Sequence, residues 1–405
     1  MRALVFRSTH DTVGYDLFDM GENEEVLVSG SIAGIGGESP EHRYAYGGRG
    51  RGEGATSAPS HAEALERVAA VLSSPTTSPD VYTKKLTVIA HGVTHGGERF
   101  RGPALVTDEV VRAIEACSTL SPRRNPAALQ CIRAARALFP GAPHVAVFDT
   151  AFHQTMPAEA FLYALPYELY DRSGIRRYGF HGVSHQHAIH CAEGLLGLSP
   201  GTSRIVSLFL GDECSATAVV GGRCVDTTTG LTAREGLPGA TSSGDLDPAA
   251  VTLLMRAEGW GPDELDALLG QRSGVLGLSG VSSDLVEVLE LAAKGDDRCV
   301  ATGRVLLHRF ARGVAAMTAA VGGMDLLVLT GAVAERSAWL RSSLVERLRY
   351  LGASVDPHRS DGFDGSAPMD ITGEGARCRV VVVPGDEQRA IARESLMLVA
   401  GRDPV

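Results

Sequence analysis

Lysine is almost missing from this chain. It occurs only at Lys84, Lys85 and Lys294, so nearly all positive charge is arginine. Any phosphate chemistry must then rely on arginine, a metal or backbone N–H groups at almost every position. Basic charge is short overall, with a formal net charge of −10 and a sequence pI of about 5.7. That balance argues against a nucleic-acid binder, which needs a basic surface. The run Gly48-Arg-Gly-Arg-Gly52 is too short to alter this and reads as a surface segment. Closely spaced cysteines are absent too. Cys117, Cys131, Cys191, Cys214, Cys224, Cys299 and Cys378 are scattered, odd in number and form no C-x-x-C pair. This fits buried thiols in a reducing cytosol better than a disulfide framework or a zinc site. No apolar run approaches membrane-spanning length. The opening Met1-Arg-Ala-Leu-Val-Phe-Arg7 breaks into charge too early for a secretory signal. The expectation is a cytoplasmic protein with neither nucleic acid nor membrane as partner.

Glycine is present in excess, at 48 of 405 residues, where average usage is about 7%. It has no three-residue period, which excludes a collagen. In a globular chain such an excess suggests loops whose backbone approaches a ligand, phosphate above all. The length suggests two domains.

Residues 2–7 and 15–20 read as strands around a polar turn. A weakly patterned stretch follows. Residues 36–60, rich in glycine, serine and arginine, read as a long exposed loop, with a hairpin as the alternative. Helical spacing covers 61–74, and residues 86–90 form a short buried strand. Helices are expected over 108–121 and 126–138, with Asp108 and Asn125 as N-caps and Pro126 in a first turn. Residues 144–150 form a strand ending on Asp149, and strand ends carry ligands in α/β folds.

From residue 204 the pattern begins again. Strands at 205–210, 215–220 and 223–226 repeat the strand–turn–strand opening. Helices are expected at 247–258, 262–269, 284–294, 297–322 and 337–351, strands at 325–330 and 379–383, and a last helix at 386–400. Such a duplication implies two α/β domains around a cleft, a natural nucleotide site.

Several runs are specific. They are Val145-Ala-Val-Phe-Asp-Thr-Ala-Phe-His-Gln-Thr-Met-Pro157, Tyr178-Gly-Phe-His-Gly-Val-Ser-His185, His95-Gly-Gly-Glu98, Ser243-Gly-Asp-Leu-Asp-Pro248, Ser273-Gly-Val-Leu-Gly-Leu-Ser279 and Pro384-Gly-Asp-Glu387. Together they resemble the acetate kinase family over nearly the whole chain. The resemblance implies two duplicated actin-like, ribonuclease H-like α/β domains flanking a cleft. The first would span 1–150 and be completed by the helix 386–400. The second would span 151–385 and carry the nucleotide side and the interface of a homodimer. The implied reaction is ATP plus acetate giving ADP and acetyl phosphate, with Mg²⁺ as cofactor. Asp149, His181 and Glu387 match the family's catalytic residues, and Asp149 and Glu387 would hold the metal. His91, Thr94, Phe180, Arg123 and Arg124 fall at substrate-binding positions. Gly211, Asp212, Asp284, Gly331 and Glu335 fall at nucleotide-binding positions.

The resemblance also implies a set of substitutions. The family's turn Asn-x-Gly-Ser-Ser-Ser-x-Lys is Arg7-Ser-Thr-His-Asp-Thr-Val-Gly14, so Arg7, His10, Thr12 and Gly14 replace the asparagine, two serines and the lysine. The two catalytic arginines fall at Gly92 and Ser242. A phosphate-loop glycine is Glu213, beside Asp212, which brings two negative charges towards a polyanion. An arginine is lost at Val286, and an active-site histidine is Arg124. Thr94, Arg123 and Ala233 stand where an apolar methyl pocket is expected, and Phe180 is kept. Losing one transition-state arginine costs on the order of 10³-fold in phosphoryl transfer. The expectation is therefore an acetate-kinase-like protein that is catalytically degenerate or repurposed, with Arg7, His10, Arg123 and Arg124 as a candidate new anion clamp. The alternatives are an active acetate or propionate kinase, and a phosphotransferase for a different anionic acid.

Overall fold

A computed structural model describes residues 1–47, 50–74 and 85–402. Gly48 and Arg49 of the Gly/Arg run lie outside the described residues. The chain divides into two compact units, one of residues 1–151 with 386–405 and one of residues 152–385.

The first unit is built on an eight-stranded sheet of order β5-β4-β3-β2-β1-β6-β8-β7. Its strands are β1 (Arg2–Ser8), β2 (Thr12–Asp19), β3 (Glu25–Ala33), β4 (Glu41–Tyr46), β5 (Gly50–Ala55), β6 (Val88–Val93), β7 (Ala104–Leu105) and β8 (His144–Phe148). The second is built on a six-stranded sheet of order β11-β10-β9-β12-β14-β13. Its strands are β9 (Ile205–Leu210), β10 (Cys214–Val220), β11 (Arg223–Thr227), β12 (Leu326–Thr330), β13 (Met369–Asp370) and β14 (Arg379–Val383). The duplication is visible in the pairing. β3-β2-β1-β6-β8 and β11-β10-β9-β12-β14 share one order, with an antiparallel meander followed by two parallel strands.

Helices cover both faces of the second sheet, which is why β12 reads as an unbroken apolar run. Val206, Leu208, Leu327, Leu329, Val380 and Val382 pack with Leu306, Phe310 and Val314 of the helix Asp297–Ala320. The alternate residues Ile205, Leu326, Val328, Val381 and Val383 pack with Ala188, Ile189 and Ala192 of the helix Gly182–Leu196. In the first unit the helix Glu387–Val399 returns from the far end of the chain and packs on β1 and β6.

Several expectations need correction. Residues 36–60 hold the hairpin, the alternative to a loop, with β4 pairing antiparallel with β5. β3 pairs with β2 along its length where the pattern showed nothing. The helix Gly182–Leu196 carried no recognised signal, because GVSHQHAIHCAEGLL mixes histidine and serine into its apolar positions. Two caps are displaced by one residue. Thr107 Oγ1, not Asp108, accepts from the Val110 N–H. Arg124 stands at the N-cap of the helix Asn125–Leu138, where its side chain does not cap the first turn. Asn125 is fully buried instead. Its Nδ2 donates to the His95 and Ile114 carbonyls and its Oδ1 accepts from the His95 N–H.

Candidate functional site

The candidate residues divide between the units. Arg7, His10, Thr12, Gly14, His91, Gly92, Thr94, Arg123, Arg124, Asp149 and Glu387 belong to the first, and Phe180, His181, Gly211, Asp212, Ser242, Asp284, Gly331 and Glu335 to the second.

In the first unit, three parallel strands end side by side. β1 ends at Arg7 and Ser8, β6 at Gly92 and Val93, and β8 just before Asp149. The Asp149 N–H donates to the Val93 carbonyl, which fixes the carboxylate to this edge. Arg7 Nη1 donates to Glu387 Oε2, tying β1 to the first turn of the helix Glu387–Val399. The turn between β1 and β2 closes on itself. Asp11 Oδ1 accepts from Thr9 Oγ1 at 3.0 Å and from Thr12 Oγ1 at 3.3 Å, and His10 Nδ1 lies 3.5 Å away. His91 is buried within the sheet. It stacks on Phe6 and His144, and its Nε2 meets His144 Nδ1 at 3.1 Å. Since His144 Nε2 faces the Phe139 carbonyl at 3.2 Å, His144 donates from Nε2, and His91 donates to its Nδ1. Burial, with the neighbouring imidazole second, holds His91 well below the usual histidine range.

In the second unit His181 adopts φ +60°, one of two non-glycine residues with positive φ among the described residues. It sits at the N-cap of the helix Gly182–Leu196, and such strain persists where the surroundings enforce it. The ring is held at both nitrogens. Nε2 lies 3.3 Å from Glu213 Oε2, and Nδ1 lies 2.8 Å from Ser215 Oγ. Ser215 Oγ is also 2.8 Å from His185 Nε2, and His185 Nδ1 is 2.9 Å from Ser207 Oγ. Burial holds His185 well below the usual range, with His153 and His181 adding to the effect.

A pocket in this unit is lined by Gly211, Asp212, Gly239, Asp284, Ala332 and Arg336, among others. Asp284 caps the helix Leu285–Ala293 through the Val286 N–H, and Arg336 Nη1 donates to its Oδ2 at 2.9 Å. The Arg336 partner holds the Asp284 carboxyl below the usual range against a partial desolvation, the larger single influence, that pushes it up. Gly331 has φ +93°, and a Cβ there would come 2.5 Å from the Leu210 carbonyl oxygen, so only glycine lets this turn cross β9. Glu335 Oε1 accepts from the Gly385 N–H at 2.9 Å. Ser242 is buried, and its carbonyl accepts from the Gly239 N–H.

One contributor escaped the sequence reading. Arg341 is 1% exposed, and its guanidinium donates to the Ala334 carbonyl at 2.6 Å, the Glu335 carbonyl at 2.8 Å and Ser360. It braces the turn that carries Glu335 and Arg336. An arginine within an amphipathic helix gives no signal of such burial.

Comparison with known proteins places this arrangement. The acetokinase family profile matches residues 2–393. An acetate kinase of Thermotoga maritima is 40% identical over 400 residues, covering 98% of this chain and 99% of its own. The crystal structure of Porphyromonas gingivalis acetate kinase superposes with a TM-score of 0.93 at 34% identity, over 98% of this chain and 99% of its own. That of a propionate kinase from Francisella tularensis does so with a TM-score of 0.90 at 31% identity, again over 98% and 99%. With its repeated sheet, its matched length and these neighbours, the chain belongs to the acetokinase family.

Proposed function

We propose that this protein is a carboxylate phosphotransferase with a rebuilt anion-handling edge, moving a phosphoryl group between a nucleotide and a small carboxylic acid more polar than acetate. The observation that carries this reading is the strand edge of the first unit, where Asp149 and Glu387 are kept and Arg7 is fixed on Glu387. The named relatives, acetate and propionate kinases, set the reaction class. Thr94 and Arg123, where apolar residues are expected, favour an acid with a polar group beyond the reacting carboxylate. The pocket beside Asp284 and Arg336 is the candidate nucleoside site, and the Gly211–Glu213 turn faces the phosphates. His181 matches the family's histidine for this step, and its Nε2 must leave Glu213 Oε2 before it can donate to a phosphoryl group.

The donor set suits Mg²⁺. Asp149 and Glu387 are hard oxygen ligands, and Mg²⁺ takes one or two carboxylates together with substrate phosphates. Among the described residues no group of three or more His, Cys, Asp or Glu is placed to hold a metal ion. When bound it neutralises phosphate charge. Glu387 is shared with Arg7, so metal and guanidinium compete for one carboxylate. The same reading places the protein in the cytoplasm as a homodimer. No described helix is long and apolar enough to cross a membrane.

The test is a hydroxamate assay with acetate, propionate, and hydroxy and dicarboxylic acids of two to four carbons. Turnover with a polar acid above that with acetate is expected. Failure of every acid to give an acyl phosphate would sink the reading. A second reading, a catalytically degenerate homologue, is favoured by Glu213, whose carboxylate meets His181 where phosphate would lie. The hydroxamate assay separates the two, since a degenerate protein makes no acyl phosphate from any acid, whether or not it binds nucleotide.

A further inference from the structure

Across the edge of the first sheet, β2, β1 and β6 align Gly14, Arg7 and Gly92 in one register. In-register neighbours project to the same face, so the Arg7 side chain is flanked on both sides by residues that have none. The two glycines are not equivalent. A Cβ at Gly92 would lie 3.1 Å from Arg7 Cγ and 3.3 Å from Ile391 Cδ1. The arginine stem therefore lies over Gly92, beneath the helix Glu387–Val399. A Cβ at Gly14 would meet nothing closer than the Arg7 carbonyl at 3.8 Å and Gln388 Nε2 at 4.0 Å, so that side is open.

The result is a trough with a glycine floor, crossed by one guanidinium and roofed by Glu387 and Gln388. Glu387 engages Nη1 of Arg7 and so aims the group. A guanidinium carries five N–H donors, the described contacts of Arg7 use only this one partner, and its side chain is 41% exposed. Gln388 Nε2, a donor, lies 4.0 Å from the Gly14 Cβ position and so turns its N–H groups towards the open side. A simple surface ion pair does not explain the bare glycine floor on both sides of Arg7. A planar fork of donors at the carboxyl ends of parallel strands suits an oxyanion with two or more oxygens, a phosphoryl group or a carboxylate.

We propose that Arg7 is an anion-binding residue, its outer edge receiving an oxyanion of the substrate in the trough floored by Gly14 and Gly92. The proposal rests on the phosphotransferase reading and names the cation of that reaction in the first unit. Because Arg7 fills the space above Gly92, positions 7 and 92 share one volume. A side chain at 92 crowds the stem at 7, which must then give by a few tenths of an ångström.

The experiment uses the whole protein and two readouts, calorimetric titration with inorganic phosphate and with acetyl phosphate, and turnover with the best acid in the hydroxamate assay. Arg7→Ala is expected to weaken phosphate binding at least ~10-fold. It should lower kcat/KM by ~10³-fold, mostly in kcat. The transposed double variant Arg7→Asn with Gly92→Arg should recover at least ~10-fold over Arg7→Ala, since the closest neighbour of a side chain at 92 is then shortened and Ile391 need give only slightly. The proposal is overturned if a folded Arg7→Ala loses less than these amounts. Should that variant not fold, Arg7→Gln, which can still donate to Glu387 but carries no charge, decides by the same thresholds. If the unaltered protein neither binds phosphate or acetyl phosphate nor turns over any acid, the phosphotransferase reading falls and takes this one with it. If it is active and Arg7→Ala matches it, this one falls alone.

Discussion

At the scale of single residues, Ser215 has one hydroxyl proton for two imidazoles. It donates to one of His181 Nδ1 and His185 Nε2 and accepts from the other, so the protonation of the two rings is coupled. Ser215→Ala leaves both nitrogens facing an apolar methyl in a fully buried place, and a loss of about 1–3 kcal/mol in urea unfolding is expected. Glu213 has a different effect. Replacing its carboxylate with Glu213→Gly removes a negative charge from the turn beside the pocket. Tighter Mg·ADP binding, by about fivefold or ~1 kcal/mol, should follow in calorimetry, and unchanged affinity would show that the carboxylate does not oppose phosphate. Asn125→Ala removes three hydrogen bonds from a fully buried clamp between His95 and Ile114, and about 2–3 kcal/mol of stability should go with them. The roles of Asn125 and Arg341 were not legible in sequence. A polar residue beside a proline reads as a cap, and an arginine reads as surface, until tertiary contacts show what their donors reach.

At the scale of elements, the β4–β5 hairpin shows how glycine can belong to a strand. The ring of Tyr44 covers Gly52 and that of Tyr46 covers Gly50, each across the strand pair, and Tyr15 covers Gly30 in the same way. A Cβ at Gly52 would fall 2.4 Å from Tyr44 Cζ. The aromatic side chain lies where the glycine has none and supplies its missing cross-strand contact. The run therefore looks like a loop by composition and behaves as a sheet edge, because the information lies in the tyrosines opposite. Gly52→Val should expel the Tyr44 ring and loosen the hairpin, which hydrogen exchange at the β4 and β5 amides would report as faster exchange confined to those strands. Unaltered protection there would refute the account. The parallel strands were far more legible. β8, β12 and β14 are short apolar runs buried on both faces, and such runs need no pattern of partners to declare themselves.

For the whole molecule, acid is the natural stress. Burial holds His91, His144 and His185 below the usual histidine range and brings His95 down to about 4. An unfolded histidine titrates near ~6.5, so these groups contribute stability in full above that pH and lose it as the pH falls towards the folded values. Asp16 and Asp226, pushed up by burial, act in the opposite sense. The clean readout is therefore a difference. His95→Asn should flatten the fall of Tm between pH 6.5 and 4 relative to the unaltered protein, by up to about 1.4 kcal/mol of stability per pH unit. Parallel Tm curves would contradict it. The repeated sheet order and the match of whole-length motifs were readable at this scale, because duplication leaves the same strand–turn–strand rhythm twice. The tie between Arg7 and Glu387 was not, since 380 positions separate them. That tie has a consequence for birth on the ribosome. The first unit needs the helix Glu387–Val399, which is made only after the whole of residues 152–385. At roughly 5–20 residues per second the strands β1 to β8 wait tens of seconds for it, while residues 152–385 emerge and can fold in the interval. The first sheet therefore stays without its closing helix for as long as residues 152–385 take to emerge.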